Sequence, residues 1–138
     1  MILTVLTYAD LVGAPFVEGG RSRSGMDCWG VVLELYRRAG IALKDPFTAQ
    51  SPEAIKRQQG QSVTQWIAQE FDQWDNVTAP DIGHVVAFRD VDGAAVHVGV
   101  VVEPGKFLHA LRRTGVVIGK LDREPWDTSL IGAYAYRH

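Results

Sequence analysis

The hydrophobic pattern of this chain changes period once, and that change limits the possible fold more than any other feature. Up to residue 71 the apolar residues recur at helical spacing; from His84 onward they come in short β-branched runs separated by turn residues. Residues 4–12 put Val5, Tyr8, Ala9 and Val12 on one face, and Gly13 and Pro15 end that pattern. Gly19, Gly20 and Gly25 mark a long loop that carries Arg21 and Arg23. A stronger helix is predicted over 27–39. Asp27 is a good N-cap, Cys28, Val31, Val32, Leu35 and Ala39 share a face, and Gly40 stands where a C′ glycine belongs. Arg37 and Arg38 fall in its last turn, where the helix dipole favours cations. Ser51-Pro52 opens a short polar helix closed by Gly60, and Ser62 with Gln65 forms a capping box for a fourth helix over 62–71.

Strands are predicted over 85–89, 94–102, 106–110 and 116–118, with a fifth over 131–137. The turns between the first three are Asp90-Val91-Asp92-Gly93 and Glu103-Pro104-Gly105. Helices followed by consecutive hairpins predict an α+β fold, the N-terminal helices packed on one face of an antiparallel sheet of five or six strands. At 138 residues, with no repeat, linker or low-complexity tract, residues 1–138 read as a single domain.

Composition removes several function classes. A net charge of −2 offers no global positive field for nucleic acid. No apolar run approaches the roughly 18 residues of a membrane span. Cys28 is the sole cysteine, which excludes an intrachain disulfide and a clustered-cysteine zinc site. The N-terminal residues lack a basic segment, and Asp10 interrupts their apolar stretch. The expectation is therefore a chain made in the cytoplasm that encodes no export of its own.

The chemistry concentrates on one thiol and two imidazoles. Cys28 directly follows a helix cap, where the dipole and unpaired backbone N–H groups favour a thiolate; the alternative is a small hydrophobe on the buried face. His97 and His109 lie in successive strands among apolar neighbours. A nucleophilic thiol needs an imidazole to take its proton, and that imidazole needs a partner on its other nitrogen. The two rings share a face if pairing partners have numbers adding to an even value, such as 102 with 106; His109 then sits opposite Gly99 and diagonal to His97, about 7–8 Å apart at the backbone. A two-residue Pro104-Gly105 turn puts the rings on opposite faces unless a bulge intervenes. The turn residues alone do not choose.

These residues carry a resemblance. The stretch GAPFVEGG…GMDCWGVVLELYRRAGI resembles the nucleophile segment of the NlpC-type cysteine peptidases, bacterial and phage cell-wall hydrolases with a compact papain-like fold. IGHVVAF is similar to their Gly-Asp-hydrophobic strand, and HVGVVVEPGKFLHA to their His-Val-Gly strand, turn and second-histidine strand. The resemblance runs from about Tyr8 to at least Ala110, most of the chain. It implies Cys28 as nucleophile, His97 as its base, His109 as the residue orienting His97, and the backbone N–H of Cys28 in an oxyanion hole. It implies peptidoglycan stem peptides as substrate, and no metal or other cofactor. Asp27 caps the helix and, by resemblance, faces the substrate's amino group; Phe16 and Trp29 flank the same site.

Three positions depart from the family pattern. Trp29 replaces the usual serine after the cysteine, Phe16 stands where many members have tyrosine, and His84 replaces the common aspartate after Gly83. Asp-Cys-Trp-Gly and the closing Tyr-Arg-His resemble the phage-tail and gene-transfer-agent branch. That branch implies tail-hub or tail-tip partners and delivery to the wall by the particle. A structural tail-tip protein that kept the fold without the activity is the alternative. Arg112-Arg113 read as a solvated turn or a rim for anionic substrate groups. Trp29, Trp66, Trp74 and Trp126 each read as core or interface anchors rather than sugar platforms. Zinc held by Cys28, His97 and His109 is disfavoured, since neither a paired-cysteine nor a HExxH spacing is present.

Overall fold

The structure, a computed structural model, describes residues 7–45, 70–91 and 94–137. The helices expected over 51–60 and, apart from its last two residues, over 62–71 lie outside the described residues, as does the start of the expected 4–12 segment. What is described of that first segment is a single 3-10 turn, Ala9–Leu11. Next comes a two-stranded hairpin, β1 (Arg21–Ser22) and β2 (Gly25–Met26), then helix α1 (Cys28–Arg38). The rest is strand: β3 (Asp75–Val77), β4 (Val85–Val91), β5 (Ala94–Glu103), β6 (Lys106–Leu111) and β7 (Gly115–Lys120). A single helical turn, α2 (Trp126–Ser129), leads into β8 (Leu130–Ala135). Strands β3 to β8 form one antiparallel sheet in the order β3-β8-β4-β5-β6-β7. The α+β class and the sheet of the sequence reading are both present.

Helix α1 forms where its cap and apolar stripe place it. Its buried face carries Trp29, Val31, Val32, Leu35 and Tyr36. These pack on Val85, Ala87, Val98, Val100, Leu108, Ala110 and Val116 from one face of the sheet. At about 1.5–3 kcal/mol for each fully buried large side chain, this contact is a main source of stability. The Tyr36 hydroxyl donates to the Gly83 carbonyl at 2.6 Å, tying the helix to the entry of β4. The other sheet face is also buried. Val86, Phe88, Val101, Phe107 and Ala133 are covered there by Leu121, Trp126 and Leu130. No helix among the described residues is long and apolar enough to cross a membrane.

The β5–β6 hairpin resolves the register left open above. Glu103 pairs with Lys106, so the loop is the two residues Pro104-Gly105, with Gly105 at φ +74° as a type II turn requires. Beyond it a bulge at Val102 shifts the pairing to Val101 with Phe107 and Val100 with Leu108. The shifted register brings His97 and His109 to the same face, with His109 opposite Gly99. A Cβ on Gly99 would lie 2.8 Å from the Phe107 ring and 2.9 Å from the Leu108 carbonyl oxygen. Gly99→Ala is therefore expected to cost about 1–3 kcal/mol. A denaturant midpoint equal to that of wild type would show that the two strands are not this close.

Candidate active site

The site begins with the loop ahead of α1. Asp27 is in extended conformation, and its Oδ1 accepts the Gly30 N–H at 2.8 Å, satisfying one orphan donor of the first turn. Its Oδ2 accepts the Gly19 N–H at 2.9 Å, and Arg21 Nη1 donates to Oδ1 at 2.8 Å. Arg21 also donates to the Gly20 carbonyl at 2.7 Å, and to Asp45 through Nε at 2.8 Å and Nη2 at 3.0 Å. The loop backbone lies so near the helix that a Cβ on Gly30 would be 2.5 Å from the Gly20 oxygen. This close approach explains the glycines on both sides of Asp27-Cys28.

Cys28 is half-buried at the first position of α1 and packs toward the helix-side core. The β5–β6 ladder ends at Val100, and the backbone N–H groups of Val98 and Trp29 are near enough to the Cys28 sulfur to favour its ionised form. Burial pushes the thiol up to about 12, and the Asp27 charge adds to this; the two N–H groups and Arg21 oppose it. The thiolate expected at a helix start is thus outweighed by desolvation, and the resting group is a neutral thiol.

His97 immediately precedes Val98, so its backbone adjoins the thiol. Its Nε2 is 2.8 Å from His109 Nδ1. Both are buried, His97 at 2% and His109 at 1% exposure. Trp126 stacks on the His97 ring at 5.7 Å between centroids and meets the His109 ring edge-on at 4.7 Å. Phe88 and Phe107 complete the aromatic wall. Burial first, and then the neighbouring His97, hold His109 down to about 3, which keeps it neutral. An imidazolium at His97 carries N–H on both nitrogens, so its Nε2–H must donate to His109 Nδ1, leaving the His109 proton on Nε2.

Of the expected catalytic residues, then, the structure joins His97 to His109 and sets Cys28 against the backbone next to His97. The expected substrate contacts fare differently. Trp29 is 2% exposed and its indole N–H donates to the Lys44 carbonyl at 3.1 Å. It is a core side chain, with no face left for a ligand. The Asp27 carboxylate is engaged as helix cap and loop tie. Phe16 is half-buried, with the Arg112 guanidinium 5.1 Å from its ring centroid and Glu18 3.5 Å from Arg112. His84 closes the turn into β4, its Nδ1 accepting the Asp81 N–H at 2.9 Å. Arg21 and Trp126 carry parts of the site that the sequence did not single out. The signals were an arginine inside the glycine loop and a large aromatic in an otherwise polar stretch. No group of three or more His, Cys, Asp or Glu among the described residues is arranged to hold a metal ion.

Folding lowers the His109 pKa from 6.5 to about 3. Between those values the unfolded chain binds a proton that the folded chain refuses, so stability falls as pH drops through this window and levels off below it. Urea midpoints measured from pH 7.5 to 3.5 are expected to fall less steeply for His109→Asn, which keeps an acceptor for His97 but has nothing to titrate. Equal slopes would contradict a buried neutral His109.

Residues 13–135 match the model of the NlpC/P60 family. A "Probable endopeptidase" of Haemophilus influenzae is 31% identical over 118 residues, covering 83% of this chain and 62% of the relative. The "Murein DD-endopeptidase MepS/Murein LD-carboxypeptidase" of Escherichia coli K12 is 28% identical over 121 residues, 86% of this chain and 54% of the relative. The chain thus spans less than two thirds of the length of these curated relatives. Among solved structures, a Staphylococcus aureus protein of the NLP/P60 family, similar to a lipoprotein, superposes with a TM-score of 0.62 at 25% identity, covering 93% of this chain and 38% of that one. With a family match over nearly its whole length and a sheet and helix of the same architecture, the chain belongs to the NlpC/P60 family.

Proposed function

We propose that the chain is a cysteine peptidase that hydrolyses peptide-stem amides of peptidoglycan through a thioester intermediate. The observation that carries this is the Cys28 thiol against the Val98 N–H, one residue from an imidazole hydrogen-bonded to a second, neutral imidazole. The likeness to the E. coli murein DD-endopeptidase supports the substrate class. Because Cys28 rests as a thiol, its proton moves to His97 Nδ1 as sulfur attacks the amide carbon, and the tetrahedral oxygen is met by the Cys28 N–H at the helix start. The His97 imidazolium then gives that proton to the departing amine, leaving a thioester. Water, deprotonated by His97, releases the acid and restores the thiol. His109 holds the His97 ring and accepts its Nε2–H throughout.

Purified peptidoglycan digested in parallel by wild type and variants, with fragments read by mass spectrometry, tests this and names the bond. Wild type is expected to release stem fragments and Cys28→Ala none. His97→Ala is expected to lose roughly 10²–10⁴-fold in rate, and His109→Asn less. Cleavage by Cys28→Ala would sink the mechanism.

The setting we propose is a phage-tail-like particle, with this chain on a tail hub or tip, made in the bacterial cytoplasm and carried to the wall. Its support is the Asp27-Cys28-Trp29-Gly30 sequence and the closing Tyr136-Arg137-His138. Particles assembled with Cys28→Ala are expected to form normally and fail at the wall. Failure to assemble would instead indicate a structural part.

A further inference from the structure

Asp27 poses an electrostatic problem for the residue beside it. Serine or asparagine would cap α1 about as well, whereas a carboxylate puts a negative charge next to Cys28 and opposes its ionisation. The structure contains an answer. Arg21 Nη1 lies 2.8 Å from Asp27 Oδ1, the same oxygen that accepts the Gly30 N–H. The guanidinium is fixed on its other edge by both oxygens of Asp45. Side-chain exposures of 19% for Arg21, 17% for Asp27 and 22% for Asp45 keep these charges mostly out of solvent, where salt screens them less than a surface pair.

We propose that Arg21 is a positioning residue for the nucleophile: it pins the Asp27 carboxylate to the helix start and offsets that carboxylate's charge beside Cys28. This rests on reading Cys28 as the nucleophile. The charged and titratable groups around the thiol are Asp27 at its own helix start, Arg21 from the β1–β2 hairpin, and His97 from β5 with His109 behind it. Of these, Arg21 is the permanent cation. Its chemistry suits the place, because the planar guanidinium serves Asp27, Asp45 and the Gly20 carbonyl together, which a lysine ammonium on a flexible stem would not hold in one geometry.

A merely structural Arg21 would tie the loop to residue 45 and leave the thiol indifferent to its charge. The two roles separate in a cycle of Arg21→Gln, Asp27→Asn and the double variant, since asparagine still caps the helix. The readout is the alkylation rate of Cys28 by iodoacetamide across pH 7–10, with folding followed by circular dichroism. It needs no substrate, so it can fail while wild type still digests peptidoglycan, and the two readings fall separately. Arg21→Gln is expected to slow alkylation by roughly three- to tenfold at each pH, as a thiol pKa raised by up to about one unit would do. Asp27→Asn is expected to speed it, and the double variant to return within about twofold of wild type. An unchanged rate in Arg21→Gln, or a double variant as slow as Arg21→Gln, would overturn the proposal. If Arg21→Gln does not fold, Asp27→Asn decides: an unchanged rate removes the charge that Arg21 is said to offset.

Discussion

Two imidazoles on neighbouring strands meet only if the strands are in the right register, and here one residue sets it. The Pro104-Gly105 turn pairs Glu103 with Lys106. Continued without interruption, that pairing would turn the β6 side chains over and send His109 to the helix side of the sheet. The bulge at Val102 absorbs the extra residue and restores Val101 with Phe107 and Val100 with Leu108. His109 then faces Gly99, whose missing Cβ leaves room for the Phe107 and His109 side chains. The 2.8 Å contact between the rings, their cover by Trp126, and the ladder's end beside Val98 all follow from this register.

The sequence reading was strongest where one residue type carries its own structural reason. Asp27 and Gly40 bound α1 because a cap and a left-handed terminator act locally, and the β-branched runs located β4 to β7. Register was not legible, since both a longer loop and a bulged two-residue turn are compatible with the same residues. Short elements escaped for a related reason. Arg21–Ser22, Gly25–Met26 and Asp75–Val77 are too brief and too polar to show alternation, and they exist through pairing with Met26, Arg21 and β8 rather than through propensity. Trp126–Ser129 is a single turn held by what Trp126 covers. In the site, residue types were readable but burial was not. Nothing in Asp-Cys-Trp-Gly says that desolvation of Cys28 exceeds the pull of the helix start.

The partner of the proposed base is a neutral imidazole where many such sites use a carboxylate. At 1% exposure a lone carboxylate would carry a large desolvation penalty, whereas a neutral ring costs little. The drawback is that His109 cannot offset positive charge on His97. The surroundings compensate in part through π faces: Trp126 lies nearly parallel to the His97 ring, 27° between planes, and Phe88 is on another side. With the thiol held high and a neutral His109 against the imidazole, proton loss from the thiol at rest is disfavoured. Proton transfer then belongs to the moment of attack, when charge passes on to the substrate oxygen.

Each half of the proposed reaction therefore answers to its own surroundings. Thiol ionisation depends on the helix start, where Asp27, Arg21 and two backbone N–H groups act over short distances in a mostly desolvated corner. Imidazole basicity depends on the rings around it, Trp126 and Phe88, and on an uncharged His109. The two environments adjoin at Val98, the residue next to the base His97. Loop and cap residues can thus vary the ionisation of the thiol without altering the packing that orients His97.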